Sequence, residues 1–394
     1  MVGLSDAQVT AKLSRGSKNN NPVKAAKASK ARWGIGLSRM SGTSSPMTNA
    51  EWSYLIDIDI GHPAQPFAVI FDTGSSTTWV VGKNCKTCVG NSHSFNSAKS
   101  KTFKNTSLAL SITYGSGYAD GRIGEDILSL GSISIPDFYF GVGSDVDSVN
   151  TQGGVDGIMG MGPDALSKGS NSGDKLLPTP VSLMKAKGLV PHNMFSVVFA
   201  PAPNGQLTSV NGEVTFGGLP PSNSYKGAVT WKPITFKSGA KNYWGIDIDS
   251  VKVGGQTVMN RVTAVVDTGT TLIAVSPNYI RNLYKRIPGY QFSPSLGLYH
   301  VACADLHKLP SVSFYVAGKA FSLNPYQYTA PSWEEASWGV TKKDRCVTYI
   351  IDSNLPDGVD IILGQKFLEY FVSVYDAEHK RVGLAPANVK IPTS

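Results

Sequence analysis

The sequence predicts a mostly β protein made of two related lobes. Three observations carry that reading. The 394 residues include 41 glycines and 23 prolines, with β-branched and aromatic residues spread throughout, which reads as many short strands and turns. Short apolar or alternating segments recur along the chain, whereas helical patterns are few. Most telling, Ala68-Val69-Ile70-Phe71-Asp72-Thr73-Gly74-Ser75-Ser76 has an echo 195 residues downstream, Thr263-Ala264-Val265-Val266-Asp267-Thr268-Gly269-Thr270-Thr271. Charged residues make up only 16% of the chain, too few for a disordered polyelectrolyte or a coiled coil. No apolar run approaches the ~18 residues of a spanning helix, so no membrane partner is expected.

The first element is an extension. Residues 1–45 are rich in Lys, Ala, Ser and Asn and poor in large apolar side chains. They bury little surface on their own. A short helix is expected around Asp6–Leu13 with Ser5 as its N-cap. The body then divides into an N-terminal lobe over 46–228 and a C-terminal lobe over 229–394. Tyr54–Ile60 alternates as a strand with Asp57 and Asp59 outward. Gly61-His62-Pro63 turns, and Phe67–Phe71 reads as a buried strand. Helices are expected at Thr179–Lys187, Pro277–Ile287 and, briefly, near Gln365–Phe371. A second echo supports the two lobes. Ile158-Met159-Gly160 ends 88 residues after Asp72, and Ile362-Leu363-Gly364 ends 97 residues after Asp267.

Charge is unevenly placed. The chain carries +8, and residues 1–45 hold +7 of it, from Lys12, Arg15, Lys18, Lys24, Lys27, Lys30, Arg32 and Arg39 against Asp6. The body is nearly neutral, so it offers no broad footprint for nucleic acid. The four cysteines are Cys85, Cys88, Cys303 and Cys346. Two local disulfides, 85–88 and 303–346, are the simplest reading and imply an oxidising compartment. Four free core thiols, or a metal or redox role for Cys85-x-x-Cys88, are the alternatives. A four-cysteine zinc site usually shows two close pairs, which Cys303 and Cys346 do not make. The six histidines are scattered, and neither a metal nor another cofactor is expected. Met1–Asp6 lacks an apolar signal-peptide core. Asn105-Thr106-Ser107 is the one glycosylation sequon.

One Asp-Thr-Gly arises by chance in ~0.1 of chains this long, but two copies at the ends of apolar strands do not. A buried strand fixes each Asp, and Gly permits close approach of a partner loop. The Thr73 and Thr268 hydroxyls can bond the opposite backbone, and Ser75 and Thr270 can bond the carboxylates. If a pseudo-twofold axis brings the loops together, Asp72 and Asp267 share one site and one proton. One can then activate water while the other protonates a carbonyl oxygen.

These residues resemble the pepsin-like aspartic proteases over nearly everything from Trp52 to Ala387. Both Asp-Thr-Gly segments, Val155–Gly160, Ile361–Gly364 and the closing strands from Phe371 to Ala385 carry the likeness. Asn211–Gly218 and Tyr243–Ile246 look most like the secreted basidiomycete-fungal, polyporopepsin-type branch. The resemblance implies a bilobal pepsin-like fold and an acid endopeptidase acting on proteins and peptides, secreted or else vacuolar. A monomer is expected, because both half-sites lie in one chain. It also implies a flap at Ile112-Thr113-Tyr114-Gly115-Ser116-Gly117. There Tyr114 would pack on substrate and bond Trp79, and the backbone of Gly115 and Ser116 would bond the peptide. Some fungal members carry Asp at the position of Ser116, and its absence suggests a preference for apolar residues beside the scissile bond. Ile70, Ile158, Tyr243 and Ile362 read as pocket walls, with core packing as their competing role. In this family a basic pro-segment blocks the cleft, which makes the chain a zymogen. Arg32 is the first choice for the blocking base and Lys30 the second, with the mature start between Met40 and Asn49. A catalytically silent binding protein on the same scaffold is the rival reading. A glycoside hydrolase using the same carboxylate pair is a third.

Overall fold

The computed structural model describes residues 9–16, 53–114, 117–147, 151–202, 209–340 and 344–390. Gly115, Ser116, Lys30, Arg32 and the expected mature start lie outside them.

Strands dominate. The largest sheet runs in the spatial order Thr230–Pro233, Arg381–Pro386, Phe371–Asp376, Met194–Val198, Ser209–Phe216, Val9–Gly16, Ser53–Ile60, Gln65–Asp72, Gly157–Gly160, Trp79–Val81, Ile133–Val146, Tyr118–Leu130 and Lys104–Thr113. A second sheet is ordered Lys319–Leu323, Val312–Val316, Gly245–Val253, Gln256–Val266, Ile361–Leu363, Ile273–Val275 and Ile350–Asp352. A small third sheet joins Gln291–Ser293, Leu298–Ala302 and Arg345–Val347. Both local disulfides, Cys85–Cys88 and Cys303–Cys346, are formed. Among the described residues no helix is long and apolar enough to cross a membrane.

The sequence echo is an echo in topology. Gln65–Asp72 pairs in parallel with Gly157–Gly160, with Ile70 opposite Ile158 and Asp72 opposite Gly160. Trp79–Val81 lies antiparallel on the far side of Gly157–Gly160. In the second half Gln256–Val266 pairs in parallel with Ile361–Leu363, and Ile273–Val275 lies antiparallel beyond it. Strands buried on both faces read as continuous apolar runs, as Val69-Ile70-Phe71, Ala264-Val265-Val266 and Ile361-Ile362-Leu363 do. The halves are joined where Met194–Val198 pairs with Phe371–Asp376.

Helices form at Pro180–Ala186, Pro277–Tyr284 and Gln365–Leu368. The first two carry Pro in their opening turn, where its missing N–H costs nothing. One expectation fails. The segment expected as a helix over Asp6–Leu13 is, from Val9 onward, a strand reaching Gly16. It pairs antiparallel with Ser209–Phe216 on one side and with Ser53–Leu55 on the other. A helix this short is marginal by itself, and two waiting strand edges outweigh its weak local preference.

Candidate active site

Asp72 closes the strand Gln65–Asp72, and Asp267 directly follows Gln256–Val266. Neither has exposed surface. Each carboxylate is held by its own loop in the same way. Asp72 Oδ1 accepts from Gly74 N at 2.9 Å, and its Oδ2 accepts from the Ser75 hydroxyl. Asp267 Oδ1 accepts from Gly269 N at 2.9 Å, and its Oδ2 accepts from Thr270 Oγ1 at 2.5 Å.

The two loops lock onto each other through their threonines. Thr73 N donates to Thr268 Oγ1 and Thr268 N to Thr73 Oγ1, both at 3.0 Å. Thr73 Oγ1 donates to Val266 O at 3.0 Å, and Thr268 Oγ1 to Phe71 O at 2.8 Å. Each hydroxyl therefore satisfies backbone from the opposite half, which buried backbone requires. The crossing brings Gly74 so near Asp267 that an added Cβ would sit 2.7 Å from the carboxylate oxygen Oδ1. The two carboxylates thus share one small site.

The later apolar-Gly strands brace it. Met161 N donates to Asp72 O and Gly162 N to Ser75 O, each at 2.7 Å. A Cβ at Gly160 would lie 2.5 Å from the Ser76 carbonyl carbon, so glycine is needed for this approach. In the second half Gln365 N donates to Thr270 O at 2.8 Å, and Gln365 Nε2 to Thr268 O at 2.7 Å.

Tyr114 directly follows the Lys104–Thr113 strand, and its N–H donates to Gly117 O at 2.9 Å, which closes the hairpin. The buried Trp79 donates from Nε1 to Tyr114 Oη at 2.8 Å. Ile70 and Ile158 are buried in the apolar cluster that Tyr114 also touches. Ile362 is fully buried in a second cluster, against which the half-buried Tyr243 packs. The sequon residue Asn105 is exposed.

The protein matches the eukaryotic aspartyl protease family over residues 53–387. The chain belongs to that family. It is 34% identical to polyporopepsin of Irpex lacteus over 355 residues, covering 89% of this chain and 99% of the relative. It is 36% identical to cathepsin E of Rattus norvegicus over 360 residues, covering 88% and 83%. The crystal structure of the Irpex lacteus aspartic proteinase superposes with a TM-score of 0.79 at 29% identity, covering 97% of this chain and 98% of that one. The protein is a pepsin-like aspartic endopeptidase.

Several residues that build the protease site were not singled out from the sequence. Asp156 is fully buried and accepts from Ala68 N at 2.9 Å, from Ser92 N at 2.7 Å and from His93 N at 2.5 Å. His93 Nδ1 lies 2.8 Å from its other oxygen. Asp360 accepts from Thr263 N at 2.9 Å. Ala68 and Thr263 each lie four residues before the Asp of an Asp-Thr-Gly, so these carboxylates occupy equivalent places. The signal existed, since both stand four residues before the Gly of an apolar-apolar-Gly segment. Trp244 is a further brace, donating from Nε1 to Met161 O at 2.9 Å.

Proposed function

We propose that Asp72 and Asp267 are the catalytic pair of an acid endopeptidase, working in a cleft between lobes 46–228 and 229–394. The observation that carries this is the Thr73–Thr268 crossing, which sets Gly74 against the Asp267 carboxylate. Two carboxylates this close cannot both ionise, so they hold one proton between them. The ionised member takes a proton from water, and the water oxygen attacks the peptide carbonyl carbon. The protonated member gives its proton to the carbonyl oxygen, which yields a tetrahedral diol. Return of a proton to the amide nitrogen then breaks the C–N bond and frees acid and amine.

Tyr114, Gly115 and Ser116 close over bound peptide, with Trp79 holding Tyr114 by the 2.8 Å bond. A hydroxyl rather than a carboxylate at Ser116 leaves no counter-charge for a basic substrate side chain. Apolar residues beside the scissile bond are favoured, with Ile70, Ile158, Tyr243 and Ile362 as walls. Residues 1–45 act as a pro-segment of a secreted zymogen. Arg32 or Lys30 ion-pairs with the cleft carboxylates at neutral pH and loosens as acid protonates them.

The test is cleavage of an unfolded protein substrate as a function of pH, with Asp72→Asn alongside. Acid-only activity that Asp72→Asn lowers at least about a thousandfold is expected. Full activity in Asp72→Asn would remove the pair from the mechanism.

A further inference from the structure

Beneath the crossed threonines lie two hydroxyls that the mechanism above does not use. Ser373 and Tyr375 have no exposed surface, and neither Ser373 Oγ nor Tyr375 Oη has a hydrogen-bond partner of good geometry. They stand two residues apart on the strand Phe371–Asp376, so both side chains leave the same face. The register confirms the face. Tyr375 lies opposite Phe195 and Ser373 opposite Val197. The Tyr375 ring stacks on Phe195 at 4.7 Å and meets Trp244 edge-on at 5.4 Å. Both rings belong to the dyad's foundation. Phe195 touches Phe71, the residue before Asp72, at 5.9 Å between ring centres. Trp244 takes Val266 N on its carbonyl at 3.1 Å and donates to Met161, which in turn holds Asp72.

Buried hydroxyls without partners are uncommon, and two together call for a cause. Burial pushes the Tyr375 phenol well up, so it keeps its proton and is a donor at every working pH. The Ser373 and Thr73 hydroxyls are near enough to act on the phenol and pull it back down, and the Asp267 charge adds to the rise. Thr73 Oγ1 has a place to receive that proton. It donates to Val266 O and accepts from Thr268 N, and Thr268 Oγ1, 3.4 Å away, spends its one proton on Phe71 O. A hydroxyl oxygen carries two lone pairs, so one acceptor site is left over.

We propose that Tyr375 and Ser373 are positioning residues for the catalytic pair. Tyr375 Oη donates to the spare lone pair of Thr73 Oγ1, and Ser373 Oγ donates to Tyr375 Oη. This chain of hydroxyls tightens in the substrate complex, as hydrogen bonds around reacting groups commonly do. It fixes the Thr73 hydroxyl against Val266, and so fixes the separation of Asp72 and Asp267. A chain of this kind strengthens each member, since every bond polarises the next. The inference rests on the reading of Asp72 and Asp267 as the catalytic pair.

Its test compares the full-length protein with Tyr375→Phe, Ser373→Ala and Ser373→Thr variants, each acid-activated and counted by active-site titration with a statine-type inhibitor. Tyr375→Phe keeps the ring and removes only the oxygen. Its kcat per active site is expected to fall about fivefold with KM unchanged, the size of one hydrogen bond felt in the transition state. Affinity for the inhibitor, which mimics the tetrahedral diol, is expected to fall by the same factor. Ser373→Ala should lower kcat less, and Ser373→Thr should restore it. A merely structural role would reduce the titrated fraction and leave kcat per site alone, and that result overturns the proposal. Should Tyr375→Phe fail to fold, the Ser373 pair decides, since equal kcat in the Ala and Thr variants also overturns it. Asp72→Asn separates the two readings. If it is inactive while Tyr375→Phe matches wild type, only the positioning role falls. If Asp72→Asn is active, the catalytic pair itself falls.

Discussion

Glu335 is a carboxyl group with 3% of its surface exposed, set against a disulfide. Its Oε1 lies 2.8 Å from Cys303 Sγ and 3.3 Å from Cys346 Sγ. Bridged sulfurs have no proton to give, so the contact favours a carboxyl that carries its own. Burial, aided by the charge of Asp344, pushes Glu335 up from 4.5 to about 7. A carboxyl raised on folding adds stability that is complete below its unfolded value and lost as pH climbs through its folded one. Here the window runs from about 4.5 to about 7, and the full effect is at most about 3 kcal/mol. Glu335→Gln should flatten the stability profile across that window. Calorimetry of both proteins at pH 4 and pH 7 measures it, and parallel losses in the two would refute the assignment. Such groups were hidden in the sequence, whereas Asp72 and Asp267 were not. The pair is visible because its chemistry demands the same three residues twice. Glu335 and the buried Lys366–Glu369 ion pair at 3.1 Å obey no repeat, so no pattern in the sequence marks them.

At the scale of elements, the recurring unit is an apolar strand ending in Asp-Thr-Gly, braced by a parallel strand that ends in Gly. A carboxylate at the entrance of each bracing strand, fully buried at Asp156 and partly buried at Asp360, fixes its register. Asp156 takes Ala68 N, and Asp360 takes Thr263 N. Asp156 also gathers the loop at Ser92 and His93, so it ties three segments together. All of its backbone partners are donors. Asn at this site would turn an N–H₂ toward one of them and leave buried groups unpaired. Asp156→Asn is therefore expected to cost about 3 kcal/mol, read as a lowered urea midpoint with an unchanged slope. A midpoint within error of wild type would show that the clasp adds nothing. The strands of this unit were legible because burial on both faces writes itself as unbroken apolar runs. The strand Val9–Gly16 was not, because its partners at Ser209–Phe216 lie about 200 residues away and leave no local trace. The sequence around Asp6–Leu13 shows only the local preference, and tertiary pairing decides against it.

Over the whole molecule, Val9–Gly16 is the piece that makes one sheet out of two. It alone stands between Ser53–Ile60 and Ser209–Phe216 in the thirteen-strand order. Without it, two long edges would present unpaired N–H and C=O groups to each other and to neighbouring chains. The segment that contributes this strand also carries +7 of the chain's +8. At neutral pH a segment of that charge is attracted by ionised carboxylates. In acid the body turns positive as its carboxylates protonate, and the same segment is repelled. If residues 1–45 act as the proposed pro-segment, they assist folding at neutral pH and depart in acid. The consequence is kinetic. The joined sheet closes contacts of long sequence separation, which are slow to form and prone to aggregation while open. A chain beginning after residue 45, unfolded in urea and diluted at neutral pH, should recover less than about a tenth of the activity regained by the full chain after acid activation, with the remainder as aggregate. Light scattering during dilution and titrated activity afterwards measure the two fates. Equal recovery from both chains would mean that the strand is a passenger in the folded sheet and that the +7 segment serves the cleft alone.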